Sequence, residues 1–238
     1  MTLLFLFVVG AVAGVLNTLA GGASALLVPA LVFAGLDVHA ANGTNRVAIL
    51  AQTGAGLASV RRGGGVWLPT AREAAASVLG GGVGALIATQ LSARQLEGAI
   101  GAAILLCVPL VLRAIAVERP PAPAWMRDAA LFVVGVYGGL VQVGVTFWQL
   151  AVLTALGGRD LRAANGVKLT LNLALTVPAF LTYLGDGQVR WAEGLATAAG
   201  AALGGWWGGR WALAWPASAV KAVVAGMMTV AAVGLLVR

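Results

Sequence analysis

Residues 41–46 read Ala-Asn-Gly-Thr-Asn-Arg and residues 164–168 read Ala-Asn-Gly-Val-Lys, so a polar string recurs 123 residues along the chain. Each copy begins a long apolar stretch, and each follows another apolar stretch that glycine and amide residues interrupt. The interruptions begin near Asn17 in the first half and near Gln142 in the second. Polar motifs repeated inside two hydrophobic halves are typical of transporters built from internal repeats, whose site lies where the repeats meet.

The composition indicates a helical membrane protein. The chain has 238 residues, of which 60% are hydrophobic and 10% are charged, and its mean hydropathy is +0.94. A soluble domain carries about 25% charged residues. The net charge of +7 does not indicate nucleic-acid binding, because the arginines stand singly or in pairs at the ends of apolar stretches. One cysteine and one histidine exclude a disulfide framework and a His/Cys metal cluster, and no cofactor is predicted.

Eight apolar segments follow one another along the chain, and two of them are interrupted. They lie at about residues 3–34, 41–60, 70–90, 95–113, 129–156, 163–184, 190–212 and 217–237. In the first segment, Leu3–Leu16 would rise only about 21 Å as a helix and Ser24–Ala34 about 17 Å. Neither piece crosses a hydrocarbon core of about 30 Å. Both interrupted segments are therefore predicted to be re-entrant pairs of half-helices. The first is expected to stay in the protein, because it lacks the basic start of a signal peptide.

The basic residues predict the topology. We assume that each interrupted segment returns to its starting side and that every other segment crosses once. One side then collects Arg61, Arg62, Arg72, Arg113, Arg119, Arg127, Arg159, Arg162, Arg210 and Lys221, and the other collects Arg94, Arg190 and Arg238, with Arg46 closer to it. The richer side is predicted to be cytoplasmic.

The predicted fold is an all-α integral membrane protein, a polytopic helical bundle of two inverted repeats. Each repeat is a re-entrant helical hairpin plus three transmembrane helices, and this odd number of crossings inverts the second repeat. The repeats comprise residues 1–117 and 129–238, and a proline-containing cytoplasmic linker at residues 118–128 joins them.

The two hairpin tips are the first candidate site. A helix that breaks at membrane depth leaves backbone groups that must face protein, water or ligand. The N-terminus of each second half-helix favours an anion. The residues predicted to bind it here are Asn17, Gly21, Gly22, Ser24, Gln142 and Thr146. The alternative is that Asn17 and Gln142 only cap their own broken helices.

The repeated strings supply the second candidate set, Asn45, Arg46 and Lys168. A charge inside an apolar segment is costly, so Arg46 and Lys168 either attract the substrate, from opposite sides, or snorkel or pair structurally. Asn42 and Asn165 match between the halves, and we expect them to be helix N-caps.

Deeper amides and hydroxyls form the third set, which would shape the cavity: Gln52, Gln149, Asn172 and Thr176. Amides at such depth either bridge helices or face a cavity. No Asp or Glu lies at the middle of a predicted span, so a cation substrate is disfavoured. An intramembrane hydrolase is disfavoured too, because no nucleophile with a base is predicted at membrane depth.

The sequence resembles the TauE/SafE family of sulfite exporters. The resemblance rests on the glycines and amides of residues 10–24, the Val-Pro-Ala-Leu string at residues 28–31 and the string at residues 41–46. It spans nearly the whole chain, although Ala23 departs from the glycine run and the second copy lacks a Val-Pro equivalent. It implies a multi-pass transporter of the cell membrane that exports sulfite, sulfoacetate or another organosulfonate.

The function predicted from both lines of reasoning is transport of a small sulfur-containing anion by alternating access, with no catalytic residues. The predicted partners are the anion and membrane lipid, not nucleic acid, and a homo-oligomer is compatible with the sequence. Two alternatives stay open at this point: an anion channel that uses the same residues, and a membrane interaction protein that transports nothing.

Overall fold

The computed structural model describes residues 1–19, 24–62, 67–112 and 120–211, and the regular elements in these ranges are all α-helices. They are α1 (Thr2–Leu19), α2 (Ser24–Phe33), α3 (Val38–Arg62), α4 (Ala71–Gln90), α5 (Ala93–Leu112), α6 (Ala124–Leu140), α7 (Val145–Ala155), α8 (Leu161–Gly185) and α9 (Trp191–Trp211). Gly21, Gly22 and the predicted segment 217–237 lie outside the described residues. An all-helical protein is confirmed for the part described.

The second interrupted segment is broken where the sequence predicted, and it gives α6 and α7. The first contains α1 and α2, which lie on either side of residues that the structure does not describe. The Ala122 N–H donates a hydrogen bond of 2.9 Å to Leu156 O, so the start of α6 lies beside the end of α7. The second hairpin therefore returns to the side from which it begins. Helix α6 starts at Ala124, so residues 124–128 of the predicted linker are helical.

Helices α3 and α8 are copies of each other. Both have 25 residues, and both their first and their last residues are 123 positions apart. The copies are capped alike: Asp37 Oδ1 accepts hydrogen bonds from His39 N and Ala40 N, and Asp160 Oδ1 accepts from the N–H groups two and three residues ahead of it.

The prediction that Asn42 and Asn165 cap these helices is therefore wrong. Each helix begins four residues earlier, at Val38 and at Leu161, because an aspartate already satisfies its first free N–H groups. Asn42 and Asn165 lie inside the helices, where their side chains are available for other contacts.

Helices α3 and α8 pack against each other in opposite directions. Near one end, Asn42 Nδ2 donates to Tyr183 Oη at 2.7 Å, and at the middle Asn172 Nδ2 donates to Thr53 Oγ1 at 3.2 Å. As the residue number rises in α3 it falls in α8, which is the arrangement that an antiparallel pair requires. Helices α3 and α8 are thus an antiparallel pair.

Glycines set a second pair of matching contacts, α1 with α9 and α4 with α6. A Cβ on Gly84 would overlap Val136 O, and a Cβ on Gly204 would overlap Ala11 O. Gly80 and Gly200 meet Phe132 O and Phe7 O in the same way. The register of α4 on α6 thus repeats in α9 on α1, and both pairs run in parallel. These glycines therefore allow the backbones of the paired helices to approach closely.

One described helix is long and apolar enough to cross a membrane by length and hydropathy alone. It is the part of α8 from Arg162 to Gly185, with a mean hydropathy of 1.4, while α1, α2 and α7 are shorter apolar helices. Helix α3 does not meet this criterion, since its buried residues include Asn42, Arg46 and Gln52. The other predicted spans stay predictions.

Candidate functional site

Arg46 of α3 is buried at the break between α6 and α7. Its Nη1 donates to Gly138 O at 2.6 Å and to Gln142 Oε1, and its Nη2 donates to Gly139 O at 2.7 Å and Asn42 Oδ1 at 3.4 Å. The carbonyl groups belong to the last turn of α6, where the helix dipole is negative and its C=O groups lack helical partners. Of the alternatives for Arg46, this geometry favours structural pairing over snorkelling.

Gln142 lies in the break itself and connects Arg46 to α8. Its φ of 63° is positive, which is rare for a residue with a side chain. Its Oε1 accepts from Arg46, and its Nε2 donates to Asn172 Oδ1 at 2.9 Å and to Thr176 Oγ1 at 3.4 Å. Asn172 in turn reaches Thr53 of α3. The predicted site residues Gln142, Asn172 and Thr176 therefore form one buried network with Arg46 at the middle of α3 and α8.

Tyr183 was not predicted, yet its ring and hydroxyl complete this network. Its ring lies under the Arg46 guanidinium, 5.3 Å from ring centroid to Cζ, and its Oη accepts from Asn42 Nδ2. Asn42 Nδ2 also donates to Leu140 O at 2.8 Å, at the end of α6. The recurrence of Asn42 in the repeated string was the available signal, but it was interpreted as a cap.

The first hairpin contributes a smaller polar contact. Asn45 Nδ2 donates to Ser24 Oγ at 3.1 Å, so α3 is tied to the start of α2, while Asn45 Oδ1 has no hydrogen-bond partner among the described residues. Asn17 is buried in the last turn of α1, beside the break. The tip between them contains Gly21 and Gly22, which the structure does not describe.

Three other predicted residues are buried with polar atoms that the described part of the chain leaves unpaired. They are Thr146, whose Oγ1 has no partner, and Gln52 and Gln149, whose amide oxygens and nitrogens both lack one. Thr146 and Gln149 lie one turn apart on α7, starting at the N-terminus of that helix. Buried polar atoms are nearly always hydrogen-bonded, so a group of unpaired ones suggests that a polar ligand completes it.

Lys168 is 1% exposed and lies on α8 one turn before Asn172, on the same face. None of the salt bridges between described residues involves it. An ionised group buried without a counter-charge is costly. Lys168 is thus a buried cation next to the network at the break and without a carboxylate partner.

The buried acidic residue Glu73 lies elsewhere and is fully paired. It begins α4 and forms salt bridges with Arg127 of α6 at 3.0 Å and with Arg159, after α7, at 2.9 Å. Its Oε2 also accepts from Thr70 N in a capping box. We call Glu73, Arg127, Arg159, Asp128 and Arg72 the ion cluster, since Asp128 joins it through Arg127 at 3.3 Å and also binds Arg72 at 2.8 Å.

The arrangement can hold an anion. Its buried cations are Arg46 at the break and Lys168 on α8, and the amides and hydroxyl that have no partner among the described residues can donate hydrogen bonds. The N-terminus of α7 adds a favourable dipole. Within the described ranges, no three His, Cys, Asp or Glu side chains are grouped as metal ligands.

Comparison with known proteins agrees with this chemistry. The family description Sulfite exporter TauE/SafE matches residues 6–235 of the chain. A relative from a Sinorhizobium species, named probable membrane transporter protein ORF9, is 30% identical over 241 residues. That alignment covers 98% of this chain and 92% of the relative. No solved structure matches the chain significantly.

Proposed function

This chain belongs to the sulfite exporter TauE/SafE family of membrane transporters, and we propose that it exports a small sulfur-containing anion through the site at the broken helices. The substrates proposed are sulfite, sulfoacetate and other organosulfonates. The bound anion would lie between the N-terminus of α7, Lys168 and the unpaired side chains of Gln52, Thr146 and Gln149. The chain is proposed to act in the cell membrane as a multi-pass carrier without enzymatic activity.

The observation that carries the proposal is the combination of a buried cation and unpaired donors at a helix break. Among the described residues, Lys168 forms no salt bridge, and three side-chain atoms of Thr146 and Gln149 have no hydrogen-bond partner. An oxyanion supplies both a negative charge and several acceptor oxygens. It would therefore balance the charge of Lys168 and accept hydrogen bonds from Thr146 and Gln149.

Alternating access is supported by the burial of this site. Lys168, Thr146 and Gln149 are each at most 2% exposed, so a substrate bound among them would be enclosed. A continuous open pore would leave such side chains in water. Opening first to one side and then to the other is the way in which a carrier reaches an enclosed site at its midplane.

Inverted repeats are supported by the antiparallel pairing of α3 with α8 and by the two parallel glycine interfaces. The halves that we propose are residues 1–117 and 129–238. The ion cluster joins Glu73 in the first turn of α4 to Arg127 of α6 and to Arg159 after α7, which supports the proposal that these ends lie on one side of the membrane. On the opposite side, Arg190 N donates to Thr44 Oγ1 and His39 Nε2 contacts Leu91 O.

The decisive experiment is flux in proteoliposomes containing the purified full-length chain. Labelled sulfite, sulfate, thiosulfate and organosulfonates are tested one by one, with and without a pH gradient. We expect saturable anion flux that the same anion on the opposite side stimulates. Flux of cations without anions would contradict the proposal, and voltage-driven unitary currents would indicate a channel instead.

A pair of variants assigns the flux to this site. Thr146→Val removes a buried hydroxyl at the start of α7, and Thr170→Val removes another unpaired hydroxyl, on α8. Since residue 170 is about half a turn away from the face shared by residues 168 and 172, we expect only Thr146→Val to reduce the anion flux. Equal flux through both variants and the unmodified protein would show that transport does not depend on this site.

A further inference from the structure

We propose that the site is built for one net negative charge, so that among anions of similar size it prefers singly charged oxyanions, such as hydrogen sulfite or a simple sulfonate, to doubly charged ones such as sulfate. The inference deepens the proposed function and rests on it. It follows from which buried charges near the break are already balanced by the protein and which are not.

Arg46 is balanced by the protein. Four of its guanidinium hydrogen bonds go to the last carbonyl groups of α6, to Gln142 and to Asn42, and only its Nε has no partner. The C-terminus of a helix carries about half a negative charge, which these contacts place against the cation. An anion could bind Arg46 only by displacing carbonyl groups that would then be buried without donors.

Glu73 is balanced as well, and it does not contribute to the site. Its salt bridges to Arg127 and Arg159 hold it in the ion cluster at the start of α4 and α6. The polar network at the break lies at the middle of α3 and α8 instead. Of the three charged side chains that are buried within the described ranges, Arg46, Glu73 and Lys168, Lys168 is thus the one whose charge no described residue compensates.

One uncompensated cation determines the charge of the best ligand. A singly charged oxyanion beside Lys168 makes the loaded site neutral, and its oxygens can accept hydrogen bonds from Thr146 and the two glutamines. A doubly charged oxyanion of the same shape would leave one negative charge buried without a partner, which costs several kcal/mol in a protein interior. The site should therefore discriminate by charge among anions that it admits by size.

Methanesulfonate and sulfate provide the test, because both are tetrahedral at sulfur and differ mainly in carrying one charge or two. Counterflow of each labelled anion is measured in the same proteoliposomes. We expect methanesulfonate to be transported at least about tenfold better, which corresponds to about 1.4 kcal/mol. Equal transport of the two anions would overturn this inference and leave the proposed function standing. Transport of neither anion, nor of sulfite, would overturn both.

Variants at position 168 assign the charge. Lys168→Asn places in α8 the residue that α3 has at the matching position, Asn45, and it should reduce methanesulfonate flux by about tenfold or more. Lys168→Arg keeps the charge and should retain most of the flux. If Lys168→Asn elutes as a folded protein in detergent and still prefers methanesulfonate as strongly, Lys168 is not the selecting charge. If Lys168→Asn does not fold, the comparison of the two anions in the unmodified protein still decides the inference, since it requires no substitution.

Discussion

Glu73 and Glu193 occupy matching positions in the two halves, each in the first turn of a helix that packs in parallel against the first leg of the other half's hairpin. Glu73 is fully buried between Arg127 and Arg159, whereas Glu193 is partly exposed and forms no salt bridge with another described residue. The backbone packing of the two halves is thus nearly the same, but their charges differ. Helix contacts preserve the symmetry, and charged side chains distinguish the two faces of the protein.

The largest effect is expected at the symmetric glycines. Gly84→Ala and Gly204→Ala each place a Cβ on a carbonyl oxygen of the facing helix, so each should cost more than about 4 kcal/mol and prevent folding. Gly98→Ala is the matched control, because nothing lies within 4 Å of its added Cβ, and it should be neutral or slightly stabilising. Thermal unfolding in detergent measures all three. A folded Gly84→Ala beside an unfolded Gly204→Ala would show that the interfaces are not equivalent.

A smaller and one-sided effect is expected at the matching glutamates. Glu73→Gln leaves two arginines without their buried counter-charge, and removing one partner of a buried salt bridge costs about 3–5 kcal/mol. Glu193→Gln should change stability by less than about 0.5 kcal/mol, as do most surface substitutions. The comparison requires unfolding midpoints for both variants under identical detergent and salt. Similar losses would mean that the second half has an equivalent ion pair.

The asparagines of the repeated string should also respond unequally. Asn42→Ala removes the donor for Leu140 O and Tyr183 Oη and should cost about 1–3 kcal/mol. Asn165 is only partly buried, and its replacement by alanine should have little effect. Chemical denaturation of the purified variants checks the difference. Equal losses of stability would mean that the contacts of Asn165 stabilise the protein as much as those of Asn42.

The smallest expected effects are at the two N-caps, and there the halves should be equal again. Asp37→Ala and Asp160→Ala each remove a carboxylate that accepts from two N–H groups at the start of a helix. Each should cost about 1 kcal/mol. Asp→Asn at either position preserves an acceptor and serves as the control. A loss of stability at one position alone would show that the two N-caps are not equivalent, so that only the glycine interfaces match.

The sequence predicted more of the fold than of the candidate site. Glycine and amide residues inside apolar stretches indicate a broken helix because they act within a few residues, and the break between α6 and α7 lies where it was predicted. The cap prediction is wrong because Asp37 and Asp160 recur with the same 123-residue offset as the asparagines, so the repeat alone does not show which pair begins the helices.

The partners of Arg46 could not be predicted, for a physical reason. They include the backbone carbonyl groups of Gly138 and Gly139. Every residue has such a group, and it is free to accept a hydrogen bond from a side chain only where a helix ends. Gln52, Gln149 and Lys168 were predicted to be site residues by type and depth. That their polar groups lack protein partners depends on the packing of helices distant in the sequence.

The glycine interfaces have a consequence for how such a chain could originate. Each joins a helix before residue 113 to a helix after residue 119, α1 to α9 and α4 to α6. Under the proposal of two inverted repeats, a half-length ancestor would have assembled as two copies inserted in opposite orientations. Two separately expressed fragments, residues 1–117 and 118–238, should accordingly form a stable complex when they are produced together, whereas each fragment alone should be degraded. Gene fusion would then have fixed a pairing that already existed between separate chains.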